Sequence, residues 1–264
     1  MNGSVSLAIS GRLARVTLAH PGKLNAMSRA MWRQLRVVFE DLQRNSQLRC
    51  VLISGEGGHF CAGGDISEYA SFRFATDSLR DFHENDVWGG LQAMLACDLP
   101  IVAQIEGNCL GAGLEIASCC DLRLAGTSAR FGAPIAKLGF PMAPREAALV
   151  LRAVGELTAR ELLLSAALLS ACEMQQRGFL NNVLIDAALD AAVQSCVARI
   201  CALAPGAARL NKQAFRTLVP ANWAQPAIDL IANAYAYAAE PDHREGIAAF
   251  IEKRKPDFAH PAVA

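Results

Sequence analysis

The sequence predicts an α/β fold in which a parallel sheet with helical crossovers leads into an all-helical C-terminal region. Three observations predict it. Val5 to Ile9 and Arg12 to Leu18 flank a two-residue turn, Ser10-Gly11, and this is a β-hairpin signal. Residues 28–54 then read as one amphipathic helix and one buried strand, the pieces of a right-handed crossover. Ile101 to Ala125, IVAQIEGNCLGAGLEIASCCDLRLA, repeats the theme as strand, glycine-rich turn, buried helix and strand.

Taken in order, Ser28 can cap a helix that places Met31, Leu35, Val38, Phe39 and Leu42 on one face at spacings of three and four. Asn45-Ser46 ends it, and Cys50 to Ser54 follows as a buried strand. Residues 67–80 turn polar and aromatic, which fits either a mobile lid or a packed helical connection. Leu79 to Cys97 reads as a helix stopped by Pro100. Pro141 to Pro144 precedes a helix to Val154, Thr158 can cap Ala159 to Leu164, and Gly178 stops a short helix over Ala171 to Arg177. Val183 to Ile185 is a short strand. Helices over Leu189 to Leu203, Gly206 to Leu218, Trp223 to Ala239 and Asp242 to Lys253 are divided by Pro205, Pro220 and Pro241, and the last residues, Phe258 to Ala264, fray or dock on a neighbour. No repeat of 20–50 residues shows at the residue level.

Composition excludes several classes. In 264 residues, Lys+Arg and Asp+Glu are both 25, so net charge favours neither nucleic acid nor an anionic membrane. No apolar run approaches the length of a membrane span, and the N-terminus lacks the pattern of a secretory signal. The nine cysteines are odd in number with no CxxC, and the five histidines are scattered; reduced thiols in a cytoplasmic protein without a metal site are expected. A hydrophobic fraction of 53% leaves apolar surface to hide, for which oligomerisation would account.

The chemistry concentrates in two glycine loops, each following a buried strand. Gly55 to Asp65, GEGGHFCAGGD, has five glycines in eleven residues, and Gly107 to Gly113 opens a helix. Glycines at 111 and 113 let the backbone turn and leave N–H groups uncovered at the helix start. No Gly-Lys-Ser/Thr follows the first loop and neither gives Gly-x-Gly-x-x-Gly, so phosphate-loop and dinucleotide readings are unsupported. Two such loops suit two N–H donors converging on one oxygen. Glu115 is the one acid in the first turn of the buried helix; it is either a cap or a general acid/base. His59 reads as a solvated loop residue, Asp65 as a helix cap and Glu106 as structural; Glu146 could face the pocket as a substitute acid, but a dipole partner or an ion pair with Arg145 or Arg152 is the favoured reading.

Phe60-Cys61-Ala62-Gly63-Gly64-Asp65-Ile66, the Gly-Ala-Gly-Leu-Glu core of residues 100–121, Phe131-Gly132-Ala133-Pro134 and the C-terminal run Glu245 to Pro256 together resemble the crotonase (enoyl-CoA hydratase/isomerase) superfamily, over about residues 5–258. The resemblance implies a ββα spiral core over residues 1–200, with the acyl-CoA and oxyanion site, and a helical C-terminal trimerisation region over 201–264 forming a homotrimer or homohexamer. It implies an acyl-CoA substrate and no separate cofactor, since coenzyme A enters with the substrate. It places the oxyanion donors on the N–H groups of Gly64 and Ala112 and the acid/base on Glu115. It sets the adenine against Ala62 to Ile66, including Asp65, and the CoA chain along Lys23 to Met27, including Ala26. Phe250 and Lys253 would reach the adenosine phosphate end from a neighbouring subunit. The family's second glutamate position is Ile135 here. That isoleucine reads as a pocket wall that excludes water near the α-carbon, which favours proton transfer over easy hydration. An alternative is a non-catalytic acyl-CoA binder, or a family enzyme of a different reaction.

Overall fold

Alternation in the second strand sets the start of the sheet: Ala14, Val16 and Leu18 point into the core and their neighbours less so. The computed structural model describes residues 2–218, 231 and 233–258. In it β1 (Ser4–Ser10) and β2 (Leu13–Ala19) form an antiparallel hairpin. Ser10 pairs with Leu13, so the loop residues are Gly11 and Arg12, one place beyond the expected pair. Gly11 takes the positive φ of 57° that a tight hairpin turn requires.

Helix α1 (Arg29–Arg44) begins where Ser28 accepts the Met31 N–H at 3.2 Å. It buries Met31, Trp32, Leu35, Phe39 and Leu42, each contributing about 1.5–3 kcal/mol of transfer free energy. Strand β3 (Cys50–Gly55) then lies parallel to β2. With β4 (Ile101–Ile105), β6 (Leu122–Gly126) and β9 (Asn182–Leu184) the first sheet has the order β1-β2-β3-β4-β6-β9, parallel from β2 onward.

A second, smaller sheet holds β5 (Asn108–Leu110), β7 (Arg130–Gly132) and β8 (Leu168–Ser170). The chain climbs between the two sheets like a stair. From β4 it steps to β5 and then into α4 (Ala112–Ser118); from β6 it steps to β7 and then into a 3-10 turn at Pro134–Leu138. The same step follows β3, where Cys61 bridges to Cys109 and a 3-10 turn covers Ile66–Ser71. These three turns form the ββα spiral that the resemblance implies. Strand β5 occupies part of the glycine-rich turn ahead of the buried helix α4.

Residues 67–80 are the packed connection rather than a lid: Tyr69, Phe72, Arg73 and Leu79 are buried. The expected helix over 79–97 is an α-helical turn α2 (Thr76–Asp81), a π turn at Phe82–Val87 and α3 (Trp88–Ala96), which lies on α1. Next come α5 (Pro144–Val154), α6 (Glu156–Leu164) and α7 (Ala171–Gln176). Gly155, not Thr158, occupies the N-cap of α6, and Thr158 is buried in its first turn.

Helix α8 (Asp186–Ala202) covers the outer face of the sheet, laying Leu189, Val193, Cys196 and Val197 on Leu52, Val102 and Leu124. Helix α9 (Pro205–Leu218) is tied back by Lys212, whose Nζ donates to the Leu99 carbonyl at 2.9 Å and to Asp121 at 2.7 Å. Its Leu210, Phe215 and Leu218 stay exposed. Most of the expected helix over 223–239 and nearly all of 258–264 lie outside the described residues. Tyr235, Ala238 and Ile247 of the last helix, α10 (Pro241–Ile251), and the turn before it join the main core. Among the described residues no single helix is long and apolar enough to cross a membrane.

Candidate active site

Two loops built by the first two steps of the stair face each other across a cavity of about 600 Å³. The first is fixed by a buried asparagine. Asn25, held at φ 60°, accepts the His20 N–H at 2.9 Å and donates to the carbonyls of Glu56 at 2.8 Å and His59 at 2.7 Å. This clamps the 20–27 loop to the 55–65 loop. Met27 N–H then donates to Gly63 and Asp65 N–H donates to Met27. The peptide joining Gly63 to Gly64 is trans, so with its carbonyl on Met27 its N–H points the opposite way. Gly64 lines the cavity. A Cβ on Gly64 would lie 2.1 Å from the Tyr69 hydroxyl, so only glycine fits there.

The second loop turns at Gly111, whose φ is 47°. Ala112 is the first residue of α4, and its N–H has no carbonyl within the helix to serve. Gly113 does not adopt positive φ as expected. Its reason is close approach: a Cβ there would lie 2.4 Å from the Cys61 carbonyl oxygen. The two loops therefore touch at Gly113. His59 is not merely solvated either; its Nδ1 accepts the Asn108 N–H at 3.1 Å and ties the loops from behind.

Glu115 lines the cavity one turn into α4 and makes no side-chain hydrogen bond among the described residues. Burial, then the charge of Glu146, raise its pKa to about 8, while Arg73 opposes them. A capping carboxylate would be shifted the other way, and no side chain caps α4. Ile135 and Met142 form an apolar wall of the same cavity.

Asp65 caps the 3-10 turn, with Ser67 N–H at 3.2 Å, and pairs with Lys23 Nζ at 2.6 Å. Burial would raise its carboxyl, yet the Lys23 and Ser67 hydrogen bonds outweigh it and hold it below the ordinary range. Lys23, Ala26, Ala62, Asp65 and Ile66 all line the cavity, as does Phe250 of α10. Phe250 reaches the cavity of its own chain, whereas Lys253 is exposed and outside the lining.

Four residues escaped the sequence reading except as packing: Tyr69, Arg73, His83 and, in its true role, Glu146. Arg73 is buried, sandwiched against the Tyr69 and Phe140 rings at 4.4 and 4.1 Å. Glu146 pairs with neither Arg145 nor Arg152. It is buried at the start of α5 and meets His83 Nδ1 at 3.0 Å, while Arg145 reaches Glu84. The sequence signal that was available was Glu in the first turn of a helix directly after Pro144, but which face it shows depends on the 82–87 π turn.

A mostly apolar cavity lined by Gly64, Ala112 and the buried carboxyl group of Glu115 is suited to an apolar acyl group. Comparison with known proteins agrees. A family model described as enoyl-CoA hydratase/isomerase matches residues 8–261. The chain is 33% identical over 254 residues to a 2,3-dehydroadipyl-CoA hydratase of Escherichia coli, covering 94% of this chain and 95% of that one. It is 30% identical over 261 residues to a short-chain-enoyl-CoA hydratase of Clostridium acetobutylicum, covering 96% of each. Among solved structures, an enoyl-CoA hydratase/carnithine racemase from Magnetospirillum magneticum superposes with a TM-score of 0.80 at 35% identity, over 97% of this chain and 95% of that chain. A methylmalonyl-CoA decarboxylase bound to 2-nitronate-propionyl-CoA gives 0.86 at 25% identity, over 98% and 100%. The chain is an enzyme of the enoyl-CoA hydratase/isomerase family, with the crotonase fold.

Proposed function

We propose that this enzyme binds an acyl-CoA thioester with its carbonyl oxygen on the N–H groups of Gly64 and Ala112, and that Glu115 exchanges a proton with the acyl chain next to that carbonyl. Removing a proton from the α-carbon, or adding a nucleophile at the β-carbon, sends negative charge to the thioester oxygen. Two fixed donors stabilise it there, and losing one costs about 3 kcal/mol of transition-state stabilisation. The part of the cavity lined by Lys23, Ala26, Ala62, Asp65 and Ile66 takes the coenzyme A portion; Phe250 closes over it. Lys253 acts outside its own chain's cavity, at the phosphate end of a neighbour's coenzyme A. The exposed Leu210, Phe215 and Leu218 of α9 make the trimer or hexamer interface.

The observation that carries this reading is Glu115: an acid raised to about 8, without a side-chain hydrogen-bond partner among the described residues, in the cavity that Gly64 and Ala112 share. A pocket serving only to bind would gain nothing from it. The test is deuterium uptake at the α-carbon of acyl-CoA thioesters in deuterated water. Uptake should disappear in Glu115→Gln, and uptake unaffected by that change would remove Glu115 from the chemistry.

A further inference from the structure

Adding water across a conjugated double bond needs a base for the water and an acid for the α-carbon, and Glu115 alone could do both only by passing a single proton around. Ile135 supplies nothing. The cavity wall holds one other group fit for the task. His83 sits on the π turn after α2 and lines the cavity. Its Nδ1 lies 3.0 Å from the buried Glu146 carboxylate. Its Nε2 faces Arg73 Nη1 at 3.5 Å, the outer limit of a hydrogen bond. A carboxylate can only accept, so Nδ1–H donates to Glu146 and Nε2 keeps its lone pair, which the long Arg73 contact does not hold from a water. The ring is stacked on Tyr235 at 5.5 Å and braced by Phe82, which fixes its plane.

Helices α4 and α5 pack side by side, and Glu115 and Glu146 stand in their first turns. His83, held by Glu146, thus lines the same cavity as Glu115. We propose that His83, oriented by Glu146, is the second catalytic group of this site and acts as the base for water in hydration of a 2-enoyl-CoA. This rests on the assignment of Glu115 and the two N–H donors above.

In the step, His83 Nε2 takes one proton from water while the water oxygen bonds to the β-carbon. The double-bond pair shifts towards the thioester, whose carbonyl pair moves onto oxygen between the two N–H groups. As that pair returns, the α-carbon takes the proton of Glu115. H and OH have been added; imidazolium and carboxylate remain, and a second water carries the proton from one to the other. Burial holds His83 below the usual imidazole range against the pull of Glu146 and Glu84, with Arg73 acting in the same sense as burial. Opposite shifts on two groups lining one cavity divide acid from base.

The test measures two rates on the full-length enzyme from about pH 5 to pH 9: hydration of trans-2-enoyl-CoAs of several chain lengths, and α-deuterium exchange of the saturated acyl-CoAs. His83→Gln should lose hydration by about 10²–10⁴-fold and keep exchange within about threefold, whereas Glu115→Gln loses both. Glu146→Gln should lower hydration by about tenfold and move the acid limb of its pH profile downward, because the imidazolium loses its partner charge. Wild-type hydration should itself show an acid limb lying below the ordinary imidazole range, which serves if His83→Gln does not fold. Hydration within twofold of wild type in His83→Gln, or a wild-type profile without that limb, overturns the assignment. So does a wild type that exchanges through Glu115 but hydrates none of the probes. If exchange also ignores Glu115→Gln, the reading of the site beneath it fails as well.

Discussion

Replacing Gly113 by alanine tests whether the spacing of the two loops, rather than any reacting group, sets the rate. Gly113 neither reaches the substrate nor needs glycine for its backbone angles. Its added Cβ would lie 2.4 Å from the Cys61 oxygen and 3.1 Å from Cys61 Cβ, against an ordinary contact of 3.4 Å or more. The obstacle is backbone, held by the parallel backbone pairing of residues 61 and 109 and by Leu110 N–H on that same oxygen at 2.9 Å, so it cannot swing aside. The loops must part by about 1 Å. Overpacking of this kind costs about 1–3 kcal/mol, or about 3–10 °C in Tm for a chain of this size. The proposed donors stand on either side of the contact, and a misplacement of about 1 Å costs about 100-fold in rate. Steady-state hydration or α-exchange should therefore show kcat down about 100-fold with KM within threefold. A Gly113→Ala enzyme that shows the fall in Tm yet keeps kcat within threefold would refute the argument, since the loops would have parted without consequence.

Glu115→Gln should be more stable than wild type at pH 8. The folded chain holds this proton up to about pH 8 and the unfolded chain releases it near about 4.3, so wild-type stability falls as pH rises between those values. The Tm advantage of the variant should grow across that window and vanish below it; a constant offset would contradict the raised pKa. Asp65 runs the opposite way: its lowered carboxyl stabilises above its unfolded pKa and is lost as pH falls through the folded one. Lys23→Met should flatten that acid-side loss in a pH series of melts. Asn25→Ala removes three buried hydrogen bonds and should cost about 2–4 kcal/mol in denaturant unfolding, with KM for acyl-CoA raised. Of the nine cysteines only Cys172 is exposed; a disulfide reagent should titrate one thiol rapidly in the native protein, and Cys172→Ser should abolish that phase.

The sequence reading reached the individual strands and helices because each carries its own signal: Ser28 before an amphipathic run, β-branched residues after Pro100, prolines between the last helices. The repeat of the spiral stayed hidden. Its steps share a path rather than a pattern, and strands of three residues such as 108–110 and 130–132 are too short for alternation to register. Glu115 and the glycine loops were legible because a lone acid in an apolar helix and dense glycine are local facts. His83 and Glu146 were not. They are sixty-three residues apart, and the face each presents follows from the wider 82–87 turn, which no local pattern announces. The placing of Gly113 illustrates the limit from the other side: the residue was singled out correctly, but as a turn former, when its cause was a neighbour from another loop.

The stair also carries a piece of arithmetic. Cys61, Cys109 and Phe131 stand abreast on three successive steps, and three residues beyond each come Gly64, Ala112 and Pro134. Steps of parallel strands are about 4.8 Å apart. Two N–H groups at that separation can each reach one oxygen at about 2.9 Å, meeting at an angle of about 110°. A third, about 9.6 Å from the first, could not share the same atom. The third tread begins with proline, which offers no N–H at all. A staircase of this pitch can grip a single oxygen only between two neighbouring treads, so its capacity to hold charge is fixed by the rise of the steps and not by how many of them are built.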